Sequence, residues 1–259
     1  MKTTKHRLVP DESAQLDAMD WHELGWLALR HVDSSAILLL DGNEHRLDLS
    51  VKAPLIRRFP DRHSLVVERA TPPNCDNAWL VEPDGCITGS FYLGYGVQDA
   101  LVSRDYIVGT YFDEGVYGPS GPNTFGVSVF SRTGQFLYGY TQLPGSAVVD
   151  DCYCVAWYDA QTVAFYPYNP FHFVLLHLGD RKIEITSVPS SVSGFSALTT
   201  FSQTVWFHGP YNSDALLKWE IGGNSMAKVG EFKGDIRGLP RGRFLAEERT
   251  GCTVVDLLG

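Results

Sequence analysis

A glycine turn recurring six times, a β-rich segment before each turn, and an N-terminal segment resembling the strand that the last repeat lacks predict an all-β, six-bladed β-propeller. The turns close short apolar runs. They are Ile37-Leu-Leu-Leu-Asp-Gly42, Trp79-Leu-Val-Glu-Pro-Asp-Gly85, Val127-Ser-Val-Phe-Ser-Arg-Thr-Gly134, Val174-Leu-Leu-His-Leu-Gly179, Leu217-Lys-Trp-Glu-Ile-Gly-Gly223 and Val254-Val-Asp-Leu-Leu-Gly259. Their glycines follow one another at steps of 36 to 49 residues, near the length of one four-stranded blade. Asp-Gly, Thr-Gly and Gly-Gly suit tight hairpins, which require positive φ.

Each repeat is expected to contribute four strands. The innermost are read at Leu16-Asp-Ala-Met19, Leu55-Ile-Arg-Arg58, Val97 to Val102, Val148 to Tyr153, Phe195-Ser-Ala-Leu198 and Ile236-Arg-Gly-Leu239. The second strands begin at Trp26, Leu65, Ile107, Val163, Val205 and Phe244, and the apolar runs before the glycine turns are the third. Fourth strands follow the turns, as in His45 to Leu49, Ile87 to Tyr92, Gln135 to Tyr140 and Lys182 to Thr186. The sixth repeat ends at its turn, so Lys5–Val9 is expected to supply its missing strand and leave no open edge. Residues 1–259 are thus read as a single propeller domain. The alternatives are five blades with an N-terminal extension, and a helix over Asp11 to Leu29 with Asp11 as cap.

Composition narrows the partners. With 21 Lys+Arg against 30 Asp+Glu, the net charge of −9 and the lack of a basic stripe argue against nucleic acid. The residues before Pro10 carry no apolar core of a secretory signal, and no apolar run approaches the roughly 20 residues of a membrane span. A cytoplasmic protein without a membrane partner is expected. Cys75, Cys86, Cys152, Cys154 and Cys252 lack zinc spacing and read as free thiols, with Cys152 and Cys154 on one side of a strand.

In a four-stranded meander, the loops entering the inner strand and those joining the second and third strands emerge on one face. There the sequence places turn-forming, tyrosine-bearing loops, including Tyr168 and His208 to Tyr211, and the long connection from Asp113 to Thr124. Asp113 and Glu114 lie beside Tyr117, while Asp17, Gln98, Asp99, Asp150 and Asp151 enter neighbouring inner strands. His208 reads as an exposed histidine, whereas His172 and His177 read as packing or rim residues. The convergent carboxylates could bind a cation, raise one carboxyl pKa, attract a basic partner, or form a solvated rim neutralised by Arg57, Arg58 and Arg237.

Gly94-Tyr-Gly-Val-Gln-Asp99, Tyr111-Phe-Asp-Glu-Gly-Val-Tyr-Gly118 and Asp151-Cys-Tyr153 resemble a group of uncharacterised bacterial propeller-like proteins carrying a Tyr-Phe-Asp-Glu-Gly-Val-Phe/Tyr-Gly signature. The resemblance spans roughly residues 85–180, implies the propeller fold and brings no activity with it. Enzymatic signatures are missing: there is no Ser-x-Asp-x-Gly-x-x-Trp box, Gly-x-Ser-x-Gly elbow, Gly-x-Gly-x-x-Gly or Walker loop.

The expected function is a rigid scaffold that holds a protein, basic in character, or a small ligand at the mouth face, in one form a bacterial immunity protein neutralising a toxin. Its residues would be Asp17, Gln98, Asp99, Asp113, Glu114, Tyr117, Asp150, Asp151, Tyr168, His208 and Tyr211, with no cofactor. The alternative is a hydrolase or lactonase with Ca²⁺ held by Asp99, Asp113, Glu114, Asp150 and Asp151.

Overall fold

The computed structural model describes residues 1–9, 15–33, 35–189 and 193–259. Its strands form six four-stranded antiparallel sheets. In the first blade β2 (Ala18–His22), β3 (Gly25–Val32), β4 (Ser35–Leu40) and β5 (Asn43–Leu47) pair in chain order. The same meander recurs in β6 (Pro54–Arg58), β7 (Ser64–Glu68), β8 (Ala78–Val81) and β9 (Ile87–Phe91), and in β10 (Val97–Val102), β11 (Tyr106–Tyr111), β12 (Val127–Ser131) and β13 (Phe136–Gly139). The fourth blade holds β14 (Asp151–Trp157), β15 (Thr162–Tyr168), β16 (His172–His177) and β17 (Lys182–Ser187). The fifth holds β18 (Ala197–Phe201), β19 (Thr204–His208), β20 (Ala215–Glu220) and β21 (Ala227–Glu231).

The sixth blade consists of β22 (Ile236–Leu239), β23 (Arg243–Glu248), β24 (Gly251–Asp256) and β1 (Lys2–Arg7). β1 lies antiparallel to β24 from Lys2 opposite Asp256 to Arg7 opposite Gly251. The expected closure is therefore present, three residues nearer the N-terminus than Lys5. Five blades with an extension are excluded, and β2 and β3 occupy the stretch weighed as a helix; Asp11, its proposed cap, lies outside the described residues.

Apolar runs continue through the inner strands because neighbouring blades cover both faces of each sheet. In β7, Leu65 and Val67 pack toward the third blade with Leu55, Ala100 and Ile107, whereas Val66 packs back on Leu29, Leu38 and Ile56 of the first and second. Six such clusters separate the six blades. Outer strands reverse the composition: β1 (Lys-Thr-Thr-Lys-His-Arg) and β17 (Lys-Ile-Glu-Ile-Thr-Ser) put polar and charged side chains outward, which discourages pairing with other chains. At the β4–β5 hairpin, Asp41 and Gly42 both take positive φ, as a type I′ turn demands. The fourth blade departs from expectation, since Arg181 and not Gly179 takes the left-handed conformation.

Two inner strands are irregular. Between Val97 and Asp99, β10 carries one residue more than its partner β11, and β14 carries one more than β15 between Asp151 and Cys154. Such bulges shift the alternation of side chains by one. Cys152 consequently packs between the third and fourth blades and Cys154 between the fourth and fifth, not on one side as expected. All five cysteines are free thiols. Among the described residues no helix is long and apolar enough to cross a membrane.

Candidate functional site

The loop joining β11 and β12 is built as a rigid arm. It contains the short helix α1 (Asp113–Val116) and a 3-10 turn at Pro122–Phe125. Buried Asn123 ties it down, donating to Gly115 O at 2.6 Å and Pro119 O at 2.9 Å while its Oδ1 accepts the Tyr95 N–H at 3.2 Å. From this arm the Tyr117 hydroxyl donates to Asp150, whose second oxygen accepts Asn169 Nδ2 at 3.0 Å. Tyr117 nevertheless stays 69% exposed, and Asp113 and Glu114 point to solvent.

Asp151 is the perturbed member of this group. Burial, with the like charges of Asp113 and Asp150, pushes its carboxyl up to about 6, against hydrogen bonds from Tyr153 and the Tyr168 backbone. Its Oδ1 has no partner among the described residues. Asp113, Tyr117, Asp150, Asp151 and the half-exposed Tyr168 thus gather at the top of the third and fourth blades, beside the two bulges.

The other expected residues do different work. Asp17 accepts the His31 N–H at 2.8 Å and faces its ring nitrogen at 2.9 Å, a local tie within the first blade. Gln98 is the extra residue of the β10 bulge, and its buried Oε1 has no partner among the described residues. Tyr211 is 63% exposed and accepts a hydrogen bond from Ser193 Oγ at 3.1 Å. His208, expected at the surface, is only 4% exposed: its ring lies 2.8 Å from Phe232 O and 3.2 Å from Ser196 Oγ, because β19 is packed on both faces. His172 and His177 are partly buried, as expected.

Asp99 is drawn away from the acidic group by Arg57, a nearly buried ion pair joining the second and third blades. Arg57 also donates from Nε to Ala100 O at 2.7 Å and from Nη1 to Ile56 O at 2.6 Å. The Ca²⁺ cage expected of Asp99, Asp113, Glu114, Asp150 and Asp151 is therefore not assembled, and among the described residues no three His, Cys, Asp or Glu side chains form a metal-binding group. Nor do the arginines neutralise an acidic rim. Arg58 forms a forked pair with Asp41 at 2.7 and 2.6 Å, and Arg237 pairs with Asp20.

A concavity lies at the opposite end of the ring axis. Inner strands all run from the interblade loops toward the turns that join them to the second strands, and there their last residues surround a cavity of about 510 Å³. All six blades contribute: Asp20, Trp21 and His22; Arg57 and Arg58; Leu101 and Val102; Trp157 and Tyr158; Thr200 and Phe201; Arg237 and Leu239. Asp20 organises its floor, its Oδ1 taking the Trp21 N–H at 2.8 Å and the Arg237 guanidinium, its Oδ2 the Arg58 N–H at 2.6 Å. Glu247, on β23, is solvent-accessible and within electrostatic reach of Arg237, Arg57, Asp20 and Asp99. Burial raises its pKa, with Asp20 and Asp99, against Arg237 and Arg57.

Sequence reasoning missed this mouth. Its signal was the aromatic or arginine at or next to the end of four inner strands, Trp21, Arg58, Trp157 and Phe201, with Arg237 second in a fifth.

No family model and no curated protein sequence matches the chain. Solved structures do. Virginiamycin B lyase from Staphylococcus aureus aligns with a TM-score of 0.56 at 11% identity, over 99% of each chain. A streptogramin B lyase aligns with a TM-score of 0.52 at 11% identity, over 98% of this chain and 96% of that one. A chain of the nidogen/laminin complex aligns with a TM-score of 0.56 at 9% identity, over 85% and 80%. At such identities the likeness establishes the propeller fold and nothing of the chemistry.

Proposed function

We propose that this chain is a rigid binding scaffold whose ligand is a small molecule held at the mouth where the first and second strands of each blade join. One observation carries the reading: a cavity of about 510 Å³ on the propeller axis, with walls drawn from every blade and tryptophan, phenylalanine or arginine from all but the third. That volume falls within the roughly 300–1,000 Å³ of small-molecule sites, and apolar walls with few polar groups are their usual lining. Rigidity is supported by the interblade cores and by buried side chains that tie the loops. Asn77, for example, donates to Glu68 O at 3.1 Å and Gly94 O at 2.9 Å and accepts the Leu93 N–H at 2.8 Å.

The test is uptake of 8-anilinonaphthalene-1-sulfonate followed by its fluorescence, with Ala160→Trp filling the mouth. One saturable site that Ala160→Trp abolishes supports the reading; uptake indifferent to that change, or none at all, overturns it.

A second reading keeps the opposite face for a basic protein partner. Two bulges, exposed Tyr117, Tyr153 and Tyr168, and the carboxylates Asp113, Asp150 and Asp151 in one sector favour it. The nidogen/laminin propeller is itself crystallised in a protein complex. A bacterial immunity protein against a basic toxin is one form of this reading. Retention of a co-purifying basic protein after Asp113→Ala, Glu114→Ala and Tyr117→Ala together would count against it.

A further inference from the structure

We infer that the cavity selects a flat, apolar ligand bearing one carboxylate, the carboxylate set against Arg237 and His22 and the apolar body against Trp157 and Phe201. This rests on the small-molecule reading above.

Asp20, the buried carboxylate of the mouth, is already spent. Both oxygens of Asp20 are taken by Trp21, Arg237 and Arg58, and Asp159, at the rim, accepts the Gln161 N–H at 2.8 Å. The buried Thr200 hydroxyl donates its proton to Trp157 O at 3.2 Å. Two of the arginines are spent as well. Every side-chain nitrogen of Arg57 donates within the protein, and the Arg58 side chain is fully buried with both terminal nitrogens on Asp41 or Trp26 O.

Free donors remain. Arg237 gives Nη2 to Asp20 and, among the described residues, nothing else, while 15% of its side chain stays exposed. His22 Nδ1 accepts the Leu24 N–H at 3.1 Å, so a neutral ring carries its proton on Nε2. Burial, helped by Arg58 and Arg243 against Asp20 and Glu23, holds the His22 pKa below its usual value, so the ring is neutral at pH 7. The Tyr158 hydroxyl, which accepts from Gln203 at 3.2 Å, keeps its own proton to donate.

The free donors of Arg237, His22 and Tyr158 require a ligand that brings acceptors to them. Arg237 keeps N–H groups that Asp20 does not take, and a charged acceptor makes the strongest hydrogen bonds to a guanidinium, so the acceptor is anionic. One planar guanidinium with spare N–H groups matches a planar two-oxygen anion, which favours carboxylate over the more highly charged phosphate. Across the mouth from Arg237 and His22, the third, fourth and fifth blades set Leu101, Trp157 and Phe201 as apolar wall. Only a flat apolar body fills it without stranding a polar atom.

The experiment uses three isosteres: naphthalene-2-carboxylate, naphthalene-2-carboxamide and naphthalen-2-ylmethylammonium. Each is titrated at neutral pH against the full chain by calorimetry and by quenching of Trp21 and Trp157. The carboxylate is expected to bind at least about tenfold more tightly than the amide, with the ammonium weakest. Arg237→Met should bring carboxylate affinity down to that of the amide and leave the amide unchanged. Arg237→Lys, which keeps a cation beside Asp20, should fall between and serves where the methionine variant fails to fold. Amide or ammonium binding as tight as carboxylate overturns the carboxylate assignment while leaving the cavity reading intact. No binding by any of the three at millimolar concentration, in a folded chain that also takes up no anilinonaphthalene sulfonate, overturns both.

Discussion

Asp99→Ala should be among the most destabilising single changes in the ring. Asp99 and Arg57 hold the second and third blades together through a nearly buried ion pair, with 6% of the arginine and 11% of the aspartate side chain exposed. Removing the carboxylate leaves Arg57 Nη2 uncompensated where water cannot readily replace it, a loss of about 3–5 kcal/mol for a buried pair broken on one side. At roughly 2–4 °C per kcal/mol in a chain of this size, the melting temperature should fall by about 6–20 °C. Asp99 also accepts the Ala100 N–H at 2.6 Å, a small further loss. Scanning calorimetry and urea titration would measure the change. The control is Arg57→Met combined with Asp99→Leu, which removes both charges and should recover most of the stability, since apolar residues replace buried ion pairs at little cost. A single mutant melting within about 2 °C of the parent, or a double mutant no better than the single, would refute the reasoning.

The remaining predictions probe other parts of the ring. Asp151 holds its proton up to about pH 6 when folded and to about pH 4 when unfolded, so the folded state binds the extra proton in that window and stability falls as pH rises through it. Asp151→Asn should therefore melt higher than the parent above pH 6, the gap closing at about pH 4 in a series of thermal melts. At Gly251 an added Cβ would stand 2.0 Å from His6 O, so Gly251→Val should detach β1. Amide exchange at residues 2–7 should then accelerate before any loss in the other five blades. His208→Leu leaves Ser196 Oγ and Phe232 O without their ring partner and should cost about 1–3 kcal/mol by urea titration, with naphthalene-2-carboxylate affinity unchanged.

The repeat was legible because hairpin glycines and apolar runs are local signals: Asp41-Gly42 and the run before it announce a turn and a strand wherever they occur. Closure was legible for a related reason, since a unit short of one strand needs another from elsewhere. The bulges at Gln98 and at Cys152–Tyr153 were not, because an extra residue in a strand shows itself only against its partner. His208 was misplaced because the proline-containing loop after it reads as surface, while its own burial depends on Phe232, 24 residues away. The acidic sector was half legible. Asp113, Tyr117, Asp150 and Asp151 do converge, but Asp99 is captured by Arg57, 42 residues distant. The axial mouth was hidden most completely. Its floor is the Asp20–Arg237 pair, 217 residues apart in the chain, and its walls are strand ends that look like ordinary polar turns one blade at a time.

A crystal of the full chain soaked in naphthalene-2-carboxylate puts the central claim to the most direct test. The account predicts density for the ring system between Trp157 and Phe201, with the carboxylate within hydrogen-bonding distance of Arg237. Density seated instead beside Tyr117 and Asp150, with the axial cavity holding only water, would contradict it.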